Sequence, residues 1–191
     1  MGPKILIDWD DTIANLCTAW ISELNKRHNL NASEKDMCGW DLSNLYPELS
    51  KEEIIEPLTE ENFWKTITIK QDALDIIPIL IEEGYDIYIC TATDYRNIQK
   101  KVDNLILKYF PCINIHNIIC CYNKQMIRGD ILIDDYIKNL VHGTYVGLLF
   151  SAPHNKVIDA TWPYTNIYRV NNWLECYNLI HELFPVERKL L

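Results

Sequence analysis

The chain has 191 residues, of which 48% are hydrophobic, and a formal net charge of −9 at pH 7. This length and composition predict one folded domain, or a core with a small insertion, and exclude a disordered chain. The excess of acidic residues argues against a nucleic acid polymer bound along a broad basic face. No apolar run approaches the roughly 20 residues that span a bilayer, so we expect no membrane partner.

The seven cysteines include no Cys-x-x-Cys pair, which predicts reduced thiols in a cytoplasmic protein rather than a disulfide framework or a zinc site. Met1-Gly2-Pro3-Lys4 runs directly into an apolar strand without the apolar stretch of a signal peptide, so we expect no secretory signal. The sequence is compatible with a homodimer but does not determine the oligomeric state.

Strands and helices alternate along most of the chain. Apolar runs predict five strands, at 4–8, 86–90, 117–121, 130–133 and 145–150. Helical periodicity predicts helices at 12–27, at 72–83 with Asp72 as its cap, from about 97, after the fourth strand to about 142, and from about 172. Between about 29 and 70 short helices alternate with loops, and Ser33-x-x-Asp36 and Ser50-x-x-Glu53 match capping boxes.

This alternation predicts an α/β fold in which right-handed crossovers build a parallel, Rossmann-like sheet flanked by helices. The core is predicted at 1–15 and 72–191, with a small helical segment at 16–71 inserted after the first strand. Ligands of such sheets bind beyond the carboxyl ends of the strands, so we expect the functional site there.

Two of the predicted strands end in paired acids. Ile5-Leu6-Ile7 is followed by Asp8 and Asp10, and Ile131-Leu132-Ile133 is followed by Asp134 and Asp135. Carboxylates at buried strand ends are costly unless they bind something, which indicates a shared divalent cation. A small number of hard oxygen ligands favours Mg²⁺, which often bridges to a substrate phosphate.

Asp8 and Asp10 are two residues apart, so an extended backbone directs both carboxylates to the same face. One carboxylate could attack phosphorus, and the other could give a proton to the leaving oxygen and later accept one from water. Thr91 follows the second strand and offers a hydroxyl to phosphate. Lys124 follows the third strand and offers a positive charge to the same oxygens.

In this order the residues resemble the four sequential motifs of the haloacid-dehalogenase-like phosphohydrolases: Asp8-Trp9-Asp10-Asp11-Thr12, Thr91, Lys124 and Asp134-Asp135. Shorter segments look like the 5′(3′)-deoxyribonucleotidases: Asn62-Phe63-Trp64, Ile89-Cys90-Thr91, Leu132-Ile133-Asp134-Asp135 and Leu149-Phe150-Ser151-Ala152-Pro153-His154-Asn155. The resemblance spans nearly the whole chain and implies a hydrolase that dephosphorylates deoxyribonucleoside monophosphates.

The resemblance also implies residue roles. Asp8 would be the nucleophile and Asp10 the acid/base. The Asp8 carboxylate, the Asp10 main-chain carbonyl and the Asp135 carboxylate would bind Mg²⁺, with Asp134 behind them. Phosphate would contact Thr91, Ala92 and Lys124, and candidates for contact with the nucleoside are Leu16, Trp40, Phe63 and Trp64.

Three positions depart from the family pattern. Asp11 stands where the family usually has Gly, which adds a charge near the phosphate. Ala92 stands where a Ser is common, and Leu16 stands where an aromatic residue stacks on the base. These departures leave the phosphatase chemistry intact and bear on base and sugar preference.

Alternatives remain open. The same chemistry could act on another small phosphoester, and a phospho-acceptor receiver domain also uses acids at strand ends. Trp40, Phe63 and Trp64 could instead form the insertion's own small core. We expect Lys100 and Lys101 to lie on a solvated helix face, and His154 and Asn155 to be structural.

Overall fold

The structure, a computed structural model, describes residues 2–157 and 165–186. Within these residues the strands are β1 (Lys4–Ile7), β2 (Asp86–Thr91), β3 (Ile118–Cys120), β4 (Ile131–Asp134), β5 (Val146–Phe150) and β6 (Ile167–Val170). The helices are α1 (Leu16–His28), α2 (Lys51–Thr59), α3 (Glu61–Trp64), α4 (Gln71–Glu82), α5 (Ile98–Lys101), α6 (Leu107–Tyr109), α7 (Ile137–Leu140) and α8 (Trp173–Leu183). The strands form one six-stranded sheet in the order β3-β2-β1-β4-β5-β6.

Every strand pair in this sheet is parallel. β1 lies at the centre, with Ile7 paired to Ile89 of β2 on one side and to Ile133 of β4 on the other. The chain proceeds outward from β1 to β3 and then returns to the opposite side of β1, so the strand order switches between β1 and β4. A switch point of this kind opens a crevice beyond the strand ends. The predicted α/β fold with a parallel sheet is confirmed.

The sheet is apolar on both faces, as expected where helices cover both sides. Ile5 and Ile7 belong to the larger of two buried apolar clusters, whereas Leu6 belongs to the other. This alternation follows from the two-residue period of a strand. It holds β1 firmly in place, which fixes where Asp8 emerges at the end of the strand.

The helical segment between β1 and β2 shares the larger apolar cluster with the sheet. The indole of Trp20 on α1 donates to the carbonyl of Ile54 on α2 at 2.7 Å. The predicted capping box is present at the start of α2, where Ser50 Oγ accepts from the Glu53 amide and the Glu53 carboxylate accepts from the Ser50 amide. The division into a core and a cap at 16–71 stays a prediction.

Four details differ from the sequence prediction. α1 begins at Leu16 rather than near residue 12, because residues 11–13 form a turn and Ala14 forms isolated β-bridges with Asp10 and Ile69. The carboxylate of Asp72 accepts from the main-chain amide of Trp173 at 2.9 Å and thus serves the start of α8, not of its own helix. The helix predicted from residue 97 contains a π-helical stretch at Val102–Ile106. The sixth strand, β6, was not predicted: it is a four-residue edge strand.

Across residues 2–157 and 165–186, none of the helices has both the length and the apolar character needed to cross a membrane.

Candidate active site

The acids that follow β1 and end β4 meet at the carboxyl edge of the sheet. Side-chain oxygens of Asp8, Asp134 and Asp135 all lie within 4.8 Å of one another, and the three side chains are buried. The main-chain amide of Asp8 donates to the carbonyl of Ile133 at 2.8 Å, which extends the β1–β4 pairing to the site. The sheet thereby brings together carboxylates that are 126 residues apart in the chain.

Lys124 is the buried cation of this cluster. Its Nζ donates to Oδ2 of Asp134 at 2.6 Å and also to Oδ1 of Asp8. Burial alone would lower the pKa of Lys124, but the two carboxylates outweigh it and hold the pKa above its ordinary value. The side chain is therefore a permanent positive charge next to Asp8.

Two carboxyl groups of this cluster, those of Asp8 and Asp135, resist ionisation. Burial raises the pKa of Asp8 to about 7, with a further rise from the neighbouring Asp134 and Asp10 and an opposing effect from Lys124. Burial, together with Asp8 and Asp134, also raises the pKa of Asp135 well above its ordinary value. A cation that binds to these oxygens must displace their protons.

The three carboxylates differ in how many hydrogen bonds they accept from the protein. Asp134 accepts from Lys124, from the amide of Tyr136 at 2.8 Å and from the Asn139 side chain at 3.0 and 3.1 Å. Oδ2 of Asp135, by contrast, is buried and has no hydrogen-bond partner within residues 2–157 and 165–186. Asp8 and Asp135 are thus the carboxylates available to a metal ion, and their oxygens suit a hard cation.

Asp10 lies beside this cluster and is paired with a second buried lysine, Lys101. Nζ of Lys101 donates to Oδ2 of Asp10 and, at 3.0 Å, to Oγ1 of Thr91. Oδ1 of Asp10 is buried and has no hydrogen-bond partner among the described residues. Our prediction that Lys101 lies on a solvated helix face is wrong, since its side chain is 1% exposed.

The spacing of apolar residues in the sequence could have predicted that Lys101 is buried. The residue lies three positions after Ile98 and four before Leu105, both of which mark the apolar face of the predicted helix. Residues at these spacings share a helix face. A lysine on the buried face requires a buried partner, and Asp10 is that partner.

Asp11 adopts the left-handed backbone conformation, with φ of 54°. Glycine adopts this conformation without strain, and aspartate is one of the few other residues that tolerates it. Oδ1 of Asp11 accepts from the amide of Cys17 at 3.0 Å, which satisfies a free donor in the first turn of α1. Burial raises the pKa of Asp11 to about 6.

Asn155, in the segment after β5, hydrogen-bonds to the main chain at Asp135 and so supports the loop that carries it. The Asn155 side chain donates to the carbonyls of Asp135 and Phe150, both at 2.7 Å, and accepts from Arg169 of β6 at 3.1 Å. Nε2 of His154 lies 3.0 Å from Oδ2 of Asp135 without forming an aligned hydrogen bond. Burial lowers the pKa of His154 to about 4, so the ring is neutral.

Two adjoining cavities open at this edge of the sheet. The one over the acids has a volume of about 350 Å³ and is lined by Asp8, Asp10, Trp40, Ala92, Tyr122, Lys124, Asp135, Tyr136 and Asn139. The other, of about 430 Å³, shares Asp10, Trp40, Ala92 and Tyr122 with it and extends towards the helical segment. Its volume lies within the usual range of small-molecule sites.

The predicted nucleoside-contact residues fall in different places. Leu16, Trp40 and Trp64 line the larger cavity. Phe63 lines neither cavity; it is buried and packs edge-on against Trp64. Of the predicted phosphate contacts, Thr91 is fully buried and lines neither cavity, whereas the adjacent Ala92 lines both.

The comparison with known protein families identifies this arrangement. A model of the family described as 5′ nucleotidase, deoxy (Pyrimidine), cytosolic type C protein matches residues 3–189. The chain belongs to the deoxyribonucleotidase family. The predicted family is thereby confirmed.

Individual relatives agree with this assignment. A 5′(3′)-deoxyribonucleotidase of Clostridium acetobutylicum is 32% identical over 182 residues, which cover 95% of this chain and 96% of the relative. A 5′(3′)-deoxyribonucleotidase of Bacillus subtilis is 29% identical over the full length of both chains. Among solved structures, the magnesium-bound HAD-hydrolase YfnB of Bacillus subtilis matches with a TM-score of 0.59 and 15% identity, covering 94% of this chain and 98% of that one.

This deoxyribonucleotidase-family protein is therefore a hydrolase of phosphomonoesters. The receiver-domain alternative is excluded by the family match. The structural neighbour, at its low identity, supports the haloacid-dehalogenase-like fold.

Proposed function

We propose that this protein is a Mg²⁺-dependent phosphatase that removes phosphate from deoxyribonucleoside monophosphates through an aspartyl-phosphate intermediate. The observation that carries the proposal is the placement of Asp8. Its buried carboxylate lies between Lys124 and Asp135, in a cavity continuous with a larger one that could take a nucleoside. The deoxyribonucleotidase relatives supply the substrate class.

The substrate phosphate would occupy the smaller cavity. Lys124 would compensate negative charge on the phosphoryl oxygens, and Thr91 with the main chain at Ala92 would donate to them. Fixed donors of this kind stabilise charge as it spreads in the transition state. The carboxylate of Asp8 would then attack phosphorus as the bond to the leaving oxygen breaks.

Asp10 would transfer the protons. In the first step it gives a proton to the departing nucleoside oxygen, and in the second it accepts one from the water that attacks phosphorus. The second step breaks the Asp8–phosphorus bond and releases inorganic phosphate and Asp8. Two easier steps replace one of the slowest uncatalysed hydrolyses.

The donor set fits a magnesium ion. The Asp8 and Asp135 carboxylates and the Asp10 main-chain carbonyl would hold it, with Asp134 behind them bonded to Lys124 and Asn139. When bound, Mg²⁺ offsets the repulsion between an anionic nucleophile and an anionic phosphoryl group. Oδ2 of Asp135, which accepts no hydrogen bond from the part of the chain that the structure describes, is the atom in this set that most requires such an ion.

The larger cavity would take the sugar and base. Leu16, Trp40 and Trp64 give it an apolar lining, as suits a nucleobase. The helical segment 16–71, which supplies all three residues, would act as the cap over the nucleoside. The reduced thiols predicted from the sequence suit a cytoplasmic enzyme, and that localisation stays a prediction.

A substrate panel tests the proposal. Purified protein with Mg²⁺ should hydrolyse dUMP or dTMP with a higher kcat/KM than ribonucleotides or sugar phosphates, and EDTA should abolish the activity. Asp8→Asn serves as the control for contaminating phosphatases and should show no turnover. Equal or faster hydrolysis of sugar phosphates would assign the enzyme to another small phosphoester instead.

A further inference from the structure

Lys101 is a buried cation that lies outside the residues assigned above to phosphate, metal and nucleoside. Its side chain is 1% exposed. Placing an ammonium group in the interior costs several kcal/mol unless partners offset it. Lys101 has such partners in Asp10 and Thr91, and its Nζ also lies 5.6 Å from the centroid of the Trp64 ring.

The local backbone places this side chain at the strand ends. Lys101 is the last residue of α5, and the chain then enters the π-helical stretch Val102–Ile106. A π-helical turn inserts one extra residue into a helix and is found frequently at functional sites. Here the π-helical stretch directly follows Lys101, whose side chain bonds to Asp10, the proposed acid/base.

The two oxygens of Asp10 are in unequal environments. Oδ2 accepts from Lys101, whereas Oδ1 is buried with no partner among the described residues. A carboxylate held through one oxygen cannot rotate freely, so its other oxygen keeps a fixed direction. Asp10 also lines both cavities, next to the position that the leaving oxygen would occupy.

The contact with Thr91 anchors the ammonium group. Oγ1 of Thr91, which is fully buried, accepts from Lys101 at 3.0 Å. The contacts with Thr91 and Asp10 together fix the position of Nζ, and Asp10 is the one of these two partners that lines the cavities.

We propose that Lys101 is a positioning residue for the hydrolysis: through Oδ2 it fixes the orientation of the Asp10 carboxylate at the edge of both cavities. This inference rests on the proposed function, in which Asp10 protonates that oxygen. Misplacing a catalytic group by about 1 Å can cost on the order of 10²-fold in rate. Loss of Lys101 should therefore lower kcat and leave KM largely unchanged.

The test compares Lys101→Met with wild type on two leaving groups. A deoxyribonucleoside is a poor leaving group and needs the proton from Asp10, whereas p-nitrophenolate leaves without one. Rapid mixing measures the first-turnover release of each. Lys101→Met should release nucleoside from its monophosphate about 10²-fold more slowly, while its first-turnover release of p-nitrophenolate should change little.

Two controls separate positioning from a general structural effect. Lys108→Met removes an exposed lysine from the neighbouring helix α6 and should leave both rates unchanged. Asp10→Asn should show the same leaving-group selectivity as Lys101→Met. Should Lys101→Met fail to fold, Lys101→Gln carries the same comparison, since it removes the charge but keeps a shorter donor.

The outcomes are distinct. Equal losses on both leaving groups, or no loss on either, would overturn the positioning role while leaving the phosphatase proposal intact. If wild type hydrolyses deoxyribonucleotides no faster than other phosphoesters, the proposed substrate class fails instead. The Lys101 comparison can then still be made on the best substrate found.

Discussion

Nζ of Lys124 lies 2.6 Å from Oδ2 of Asp134, and both side chains are buried at the carboxyl edge of the sheet. The same ammonium group donates to Asp8, so a single cation compensates two carboxylates. Removing one partner of a buried pair leaves the other charge without compensation. Lys124 thus links the stability of this edge to the chemistry at Asp8.

Lys124→Met should lower the free energy of unfolding of the metal-free protein by about 3–5 kcal/mol at pH 8, because it leaves Asp8 and Asp134 buried without their cation. Urea unfolding measures the change. Lys108→Met is the matched control and should stay within about 0.5 kcal/mol of wild type, as expected of an exposed position. Equal stabilities of the two variants would contradict the assigned role of the ion pair.

Asp8→Asn and Asp10→Asn should separate metal binding from catalysis. Asp8→Asn removes the nucleophile and a carboxylate ligand together, so both turnover and Mg²⁺ affinity should be lost. Asp10→Asn should lower kcat by about 10²–10⁴-fold but largely preserve Mg²⁺ affinity, because the proposed ligand is its main-chain carbonyl. Calorimetric titration with Mg²⁺ measures the affinity, and a parallel collapse of affinity and rate in Asp10→Asn would refute this division.

Mg²⁺ affinity should increase with pH between about 5 and 8. Burial raises the pKa of Asp8 to about 7 and that of Asp135 well above its ordinary value, so protons compete with the ion over this range. The same shifts should make the metal-free protein less stable as pH rises from about 4, where unfolded carboxyls ionise, towards 7. Calorimetric titrations and thermal melts across this range measure both trends. A pH-independent affinity would contradict proton competition at these two acids.

Leu16→Phe should lower KM for pyrimidine deoxyribonucleotides. Leu16 lines the larger cavity, and an aromatic ring there could stack on the base, as the family resemblance implies. Steady-state kinetics on dUMP and dTMP measure the change. Leu174→Phe, at an exposed position of α8, is the control and should leave KM unaltered. An unchanged KM in Leu16→Phe would place the base elsewhere.

The sequence was sufficient to predict the parts of the fold that depend on apolar runs. Ile5-Leu6-Ile7 and Ile131-Leu132-Ile133 are central strands buried on both faces, and such strands read as continuous apolar segments. β6 was not predicted because it is a short edge strand. Its two middle residues, Tyr168 and Arg169, are not buried, so the strand lacks a continuous apolar run. Arg169 nonetheless reaches Asn155, so the unpredicted strand supports the Asp135 loop.

At the site, the sequence predicted residues that follow strands more successfully than residues that arrive from helices. The ends of parallel strands share one edge of the sheet, so Asp8 and Asp135 could be expected to meet. Lys101 comes instead from a helix, and its depth depends on packing that periodicity describes only in part. The distinction between Trp64, which lines the cavity, and Phe63, which packs behind it, is likewise a matter of tertiary packing.

The central claim is that Asp8 accepts the phosphoryl group with a magnesium ion held by acids from β1 and β4. Rapid acid quench of the enzyme with dUMP labelled in its phosphate, followed by peptide mapping, tests it most directly. We predict label on the peptide containing Asp8 when Mg²⁺ is present, and no label after EDTA treatment or in Asp8→Asn. Label on a different residue, or full hydrolysis after EDTA, would contradict the account.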